Sequence, residues 1–287
     1  MSDSADRPAV LLTGAAGGIG TAITQALVGR GYLVYAGVHH ETDSLARLSA
    51  VRAVPLDVTS TDSVQAAAAD IAARQGGRGL RAVVNNAGVI VSGPVELVPG
   101  PELERQFAVN VLGAAEVIRE FAPLLRTAGG RLINISAPTA RLAVPYAGAI
   151  SASKAALESL SAAARVELAP WGIAVVIVVP GAIDTPIFAK ADAAARGAMR
   201  STDPERVALY RRQLDAVGAA QGSMRTSPPR TVADTVVRAI EARRPRARYA
   251  ASTDVLITGL LARLPVRTRD RVLTRALGLH KAAAGPA

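Results

Sequence analysis

The sequence predicts one α/β domain over residues 1–287: a Rossmann-type, doubly wound parallel sheet with helices on both faces. Three observations predict it. Strand-length apolar runs alternate with helix-length segments along most of the chain, which implies parallel strands joined by right-handed helical crossovers. The strand runs are almost wholly apolar, as a sheet covered on both faces requires. A glycine-rich turn, "LLTGAAGGIG", closes the first run and opens the first helix.

Taken in order, "AVLLTG" is the first strand and residues 18–30 the first helix. "YLVYAGV", a helix at 43–49, "RAVPLDV" and a helix at 61–74 follow, then "LRAVVNNAG" and a long helix at 101–126. "GRLINIS", a helix at about 148–170 and "IAVVIVVPG" continue the pattern. The rhythm then breaks at about 186–226, between Pro186 and Pro229. Long irregular insertions in compact folds often cover a site, so this span is expected to be an irregular substrate lid. A helix at about 229–243 and "ARYAAS" complete the sheet. Beyond, at about 254–280, Leu and Val interleave with Arg at helical spacing, predicting a C-terminal helix pair with a basic face; membrane contact there is at most peripheral.

Composition excludes several functions. There is no cysteine, which removes disulfides, thiolate catalysis and Cys-type zinc sites, and His39, His40 and His280 lack metal-ligand spacing, so no metal site is expected. The formal charge of +10 would suit a nucleic acid, but the arginines are spread through Ala-rich helices with no aromatic-basic stripe, so no nucleic-acid partner is expected. The apolar runs fall short of the roughly 20 residues of a spanning helix. The polar start "MSDSADRPAV" lacks a secretory pattern, so the expected location is cytoplasmic.

The turn holding Gly14, Gly18 and Gly20 suits a phosphate-bearing ligand, because backbone can approach closely and the helix N-terminus offers free amides and a positive dipole end. With further elements in order, residues 9 to about 252 resemble the short-chain dehydrogenase/reductase family. Its TGxxxGxG turn matches Thr13, Gly14, Gly18 and Gly20, with Ile19 inside it. Its Asp-Val pair after the third strand matches Asp57 and Val58, and its NNAG element matches Asn85 to Gly88, including Asn86 and Ala87. Its active-site asparagine matches Asn110, and its PGxxxT segment matches Pro180, Gly181 and Thr185, with Ile183 between them. The resemblance implies NAD(P) binding. It also implies a homodimer or homotetramer paired through the long helices at 101–126 and 148–170.

An acidic residue ending the second strand would bond a ribose 2′-hydroxyl and repel a 2′-phosphate. Here the strand runs out as "GVHHETD", with His39 where NADP-using relatives often carry arginine and with Glu41 and Asp43 later. NADP is therefore preferred, with NAD the alternative.

In the family a serine after the fifth strand bonds the substrate carbonyl, a tyrosine thirteen residues later gives the proton, and a lysine four further binds the nicotinamide ribose. Side chains at i and i+4 share a helix face, so the ammonium lowers the phenol's pKa. Lys154 matches the lysine, but Ile150 and Ala137 stand where tyrosine and serine belong. Asn110 remains to hold a water near the lysine. Tyr146 is the nearest phenol and a tentative substitute acid; Lys154 itself is another. Ser136 belongs to the opposite strand face.

These residues point first to a divergent oxidoreductase, in the manner of the hydroxysteroid and retinol dehydrogenase branch, acting on an apolar carbonyl or alcohol. Two alternatives stay open. One is a non-redox cyclase, isomerase or dehydratase with an apolar floor at Ala137 and Ile150; the other is a nucleotide-responsive binding protein without catalysis.

Overall fold

A computed structural model describes residues 7–39, 48–199 and 202–282. The expected helix at 43–49 lies almost entirely outside the described residues, as do His40, Glu41 and Asp43.

The strands are β1 Ala9–Thr13, β2 Leu33–Val38, β3 Val51–Pro55, β4 Ala82–Asn85, β5 Arg131–Ile135, β6 Ala174–Val179 and β7 Arg248–Ala250. They form one seven-stranded sheet in the order β3-β2-β1-β4-β5-β6-β7, every pairing parallel. The order reverses between β1 and β4, and in open α/β sheets the crevice beyond the strand ends at such a point takes the ligand.

The two-residue period of the strands sorts side chains to two cores. Val10 and Leu12 of β1 face the first, where α1 (Gly18–Gly29) and α9 (Arg230–Glu241) add Ile23, Leu27, Val232, Val236 and Ile240. Ala9 and Leu11 face the second, with Val64 and Ile71 of α2 (Thr61–Gln75) and Val117, Phe121 and Leu125 of α4 (Gly113–Ala128). Each such aliphatic side chain contributes about 1.5–3 kcal/mol by leaving water. Arg131 is buried at the start of β5, donating to the Ala239 oxygen at 2.6 Å and to the oxygens of Ile240 and Ala242. It thereby satisfies carbonyls that the end of α9 leaves without helical partners.

Two expectations need correction. The helix at 101–126 is two helices, α3 (Gly100–Phe107) and α4, joined by a π-helical turn at Ala108–Leu112. The extra residue in that turn lets Asn110 bond another segment, described below. The span at 186–226 is not irregular: it holds α6 (Ile187–Met199), α7 (Pro204–Leu209) and α8 (Arg211–Gly222). Its prolines and glycines punctuate short helices. Pro204 opens α7, where a missing amide hydrogen costs no helical bond, and Asp203 caps it by accepting from the Glu205 amide at 2.9 Å.

The active-site helix α5 runs Gly148–Glu167. After β7, α10 (Thr253–Leu261) and α11 (Val266–Ala276) form the C-terminal pair. No helix among the described residues is long and apolar enough to cross a membrane.

Candidate active site

The turn after β1 and the turn after β4 are locked together at the switch point. Thr13 Oγ1 accepts from the amides of Asn86 and Ala87, each at 3.0 Å, and the Asn86 amide group donates to the oxygens of Thr13 and Gly14, each at 3.0 Å. Thr13 and Asn86 thus shape the cradle with their side chains. Gly14 has φ +63°, and a Cβ there would stand 2.8 Å from the Ala87 Cα. At Gly20 a Cβ would lie 2.3 Å from the Gly14 oxygen. Only glycine allows this turn.

Gly17 ahead of α1 provides no side-chain cap, so the first amides of the helix are left to an external acceptor. Facing them is the segment from Pro180 to Thr185. A Cβ at Gly18 would meet the Thr185 Cγ2 at 2.7 Å, and Thr185 Oγ1 is buried with no hydrogen-bond partner. A buried hydroxyl in that state costs stability unless a ligand engages it. The segment is held from behind: the Ala182 amide donates to Asp254 of α10 at 3.2 Å, and Ile183 bridges to Ser227. Asp254 and Ser252 fill the space a Cβ at Gly181 would need. The open amides, the glycine cradle and the orphaned Thr185 hydroxyl together fit a dinucleotide.

At the far end of this crevice His39 Nε2 stands 3.4 Å from Asp57 Oδ2. The Asp57 carboxyl lies below its ordinary range, chiefly because it accepts from the Thr59 hydroxyl at 2.7 Å. Val58 packs over Gly113, where a Cβ would stand 2.8 Å from Val58 Cγ2.

The chemical end is built on α5 and the π-helical turn. Lys154 is buried and its Nζ donates to the Ile135 oxygen at 2.7 Å. Burial in an apolar wall pulls its pKa down to about 8, with Glu158 one turn further on acting in the opposite direction. Gly88 brings the parts together: a Cβ on it would sit 3.3 Å from Asn110 Oδ1 and 3.8 Å from Lys154 Nζ. Asn110 both accepts from the Val89 amide at 2.9 Å and donates to the Val89 oxygen at 3.0 Å. Gln106, which sequence reasoning did not single out, repeats this clamp one turn earlier. It accepts from the Val91 amide at 2.7 Å and donates to the Val89 oxygen at 2.9 Å and to Ser153 Oγ at 3.1 Å.

No hydroxyl stands where the family's acid pair would be. Ala137 follows β5 in extended conformation, and Ile150 is buried one turn before Lys154. Ser136 Oγ donates to Glu158 at 2.7 Å, and Arg141 and Arg248 pair with the same carboxylate. Glu158 is a second residue the sequence did not reveal; its partners Arg141, Ser136 and Arg248 lie 17, 22 and 90 positions away in the chain.

Tyr146 is placed apart from this group. It is the one described non-glycine residue with positive φ, +66°, and its backbone carbonyl oxygen accepts from the Gly93 amide at 2.8 Å. Burial raises its phenol pKa, and that of the Tyr210 phenol in the 186–226 span is raised chiefly by its hydrogen bond to Glu96. Tyr210 in turn donates to Glu96 at 2.7 Å, and Arg206 pairs with Glu96 at 3.2 Å. These bonds clasp α7 to the loop at 93–98.

A Rossmann sheet with a dinucleotide cradle and an Asn-Lys pair at its switch point defines a class of nicotinamide-linked enzymes. The chain belongs to the short chain dehydrogenase family, whose pattern it matches over residues 8–196. It is 38% identical over 199 residues to estradiol 17-beta-dehydrogenase 2 of Rattus norvegicus, covering 65% of this chain and 51% of that one. The chain thus spans about half the length of that relative. It is 33% identical over 285 residues to human short-chain dehydrogenase/reductase family 9C member 7, covering 93% of this chain and 89% of that protein. Among solved structures, a short-chain dehydrogenase from Streptomyces avermitilis superposes with TM-score 0.72 at 29% identity over 98% of this chain and 99% of that one. One from Burkholderia cenocepacia, in complex with NADP, does so with TM-score 0.70 at 27% identity over 95% and 99%.

Proposed function

We propose that the protein is an NADP(H)-dependent oxidoreductase, with NAD(H) the alternative cofactor, acting on an apolar carbonyl or alcohol without a Ser-Tyr acid pair. The single observation that carries this reading is Lys154: a buried ammonium, with its pKa lowered to about 8, beside Gly88 and Asn110 in a cradle whose cofactor features are intact. The NADP-bound Burkholderia relative and the histidine, His39, that directly follows β2 where an NAD-binding carboxylate would stand support the choice of NADP.

A bound nicotinamide supplies the hydride. When the cofactor is bound, Thr185 would offer its hydroxyl to the carboxamide, and the amides of Gly18, Ile19 and Gly20 would hold the phosphates. Lys154 holds the proton that neutralises the nascent alkoxide oxygen, delivered past Ile150 through a water beside Asn110. A proton on a buried lysine leaves readily because burial disfavours the charged form. Ala137 and Ile150 floor the pocket with apolar surface, and α6 to α8 act as its lid. Tyr146, at the lip with Tyr210, contacts substrate; as an acid it ranks behind Lys154, whose environment at Gly88 and Asn110 is the reaction centre. Two copies pair through α4 and α5, where Leu160 and Val166 are exposed.

A second reading, a non-redox enzyme on the same scaffold, draws on that apolar floor, where catalysis would rest on orientation. Following NADPH absorbance against a panel of apolar ketones, enones and imines separates the two. Turnover with any of them supports the oxidoreductase. Demonstrated cofactor binding with no turnover across the panel points to the second reading.

A further inference from the structure

The C-terminal helix pair displays apolar side chains that the fold does not use. Of α10 only Val255 is buried, and α11 has no buried residue. Leu256, Ile257 and Leu260 are 61%, 60% and 65% exposed and occupy one face of α10, at spacings i, i+1 and i+4. Val266, opening α11, is 59% exposed. The helix that presents them is fixed at its base by Val255 and by the Asp254 carboxylate on the Ala182 amide.

The helix that follows carries a basic stripe. Arg267, Arg271 and Arg275 are exposed at i, i+4 and i+8 on one side of α11 and enter none of the ion pairs found among the described residues. Between residues 253 and 281 six cationic side chains face two carboxylates. A second copy of this chain would bring like charge against like, which disfavours self-association through this face. An apolar ridge on one helix and unpaired arginines on the next are instead the chemistry of an interfacial helix pair, whose apolar side chains enter the acyl boundary while guanidinium groups meet anionic headgroups.

We propose that α10 and α11 dock the protein on the surface of an anionic phospholipid bilayer. Leu256, Ile257 and Leu260 enter the membrane, and Arg267, Arg271 and Arg275 hold it by charge. The docking is independent of the reaction catalysed.

The full chain is sedimented with vesicles of phosphatidylcholine alone and of phosphatidylcholine with about a third phosphatidylglycerol. Binding is expected to the anionic vesicles and to fall as salt is raised. Arg267→Gln, Arg271→Gln and Arg275→Gln together are expected to weaken it about a hundredfold, at about fivefold for each arginine near the surface. Leu256→Ser with Ile257→Ser and Leu260→Ser is expected to weaken it at least tenfold with an unchanged thermal midpoint. Should that variant fold poorly, Ile257→Trp gives the same information, its emission shifting to the blue on adding anionic vesicles. Equal binding to both vesicle types, or binding untouched by the arginine changes, overturns the proposal. So does absence of vesicle binding combined with a smaller oligomer for the serine variant, which would assign the face to a second copy of the chain.

Discussion

The ammonium of Lys154 is bonded at 2.7 Å to the backbone oxygen of Ile135, the last residue of β5. That bond places the lysine at the mouth of the β5 turn, where a family serine would begin and Ala137 stands instead. With Ile150 one helical turn away, Lys154 is the ionisable group buried at the proposed reaction centre.

The first prediction concerns pH. Reduction requires the protonated lysine, so kcat/KM is expected to be level below pH about 8 and to fall above it, tenfold per pH unit, in steady-state assays. Stability moves the other way. The unfolded chain keeps this proton to about pH 10.4, whereas the folded chain releases it near 8. Between those values the unfolded state binds more protons, so this group's contribution to stability rises with pH, by on the order of 3 kcal/mol. Melting wild type and Lys154→Met at pH 7.5 and 9.5 measures it: the rise should be present in the wild type and missing from the variant.

Restoring the family's pair tests how far the pocket has diverged. Ala137→Ser with Ile150→Tyr is expected to raise reduction of simple ketones by NADPH by about 10² to 10⁴, the usual contribution of positioned acid-base groups. The new phenol would stand one turn from Lys154 on the same helix face. Rates no higher than wild type in the same assay would mean that the substrate pocket, and not the acid alone, sets the chemistry.

Thr185→Val separates folding from binding. Removing a buried hydroxyl that lacks a partner should leave the ligand-free protein as stable or more stable by about 1 kcal/mol, as seen by thermal melting. The same change should weaken NADPH binding roughly tenfold, the worth of one good hydrogen bond, as measured by calorimetry.

Much of this was legible in the residues. Apolar runs located β1, β2, β4, β5 and β6 because parallel strands buried on both faces have no polar register to hide them; the half-exposed edge strands β3 and β7 followed from the alternation with helices, and the turn of Gly14, Gly18 and Gly20 marked the cradle directly. Other features were not legible, for physical reasons. The π-helical turn at Ala108–Leu112 leaves no mark in residue type, and the contact it gives Asn110, with Val89, spans 21 positions of the chain. The three helices of the 186–226 span were concealed by Pro204, which opens one of them, and by Gly218 and Gly222, one inside α8 and one at its end. Glu158 and Gln106 look like ordinary helix residues until the fold brings Ser136, Arg248 and Ser153 to them.

The lid carries a further prediction. Glu96 holds Tyr210 and Arg206, and these partners depress its carboxyl pKa. Exposed pairs of this kind contribute little to stability, so Glu96→Ala should leave the melting temperature nearly unchanged. It should nonetheless speed amide exchange over residues 204–222 severalfold and raise KM more than it changes kcat, as measured by hydrogen exchange and steady-state kinetics.

The most direct measurement follows the hydride itself. NADPH carrying deuterium at the transferred position is mixed in a single turnover with an apolar ketone, and the product is weighed by mass spectrometry in parallel for wild type and Lys154→Met. The account predicts one deuterium on the carbinol carbon of the wild-type product and a rate at least a hundredfold lower in the variant. Product formed without deuterium, or label transferred equally fast by Lys154→Met, would contradict it.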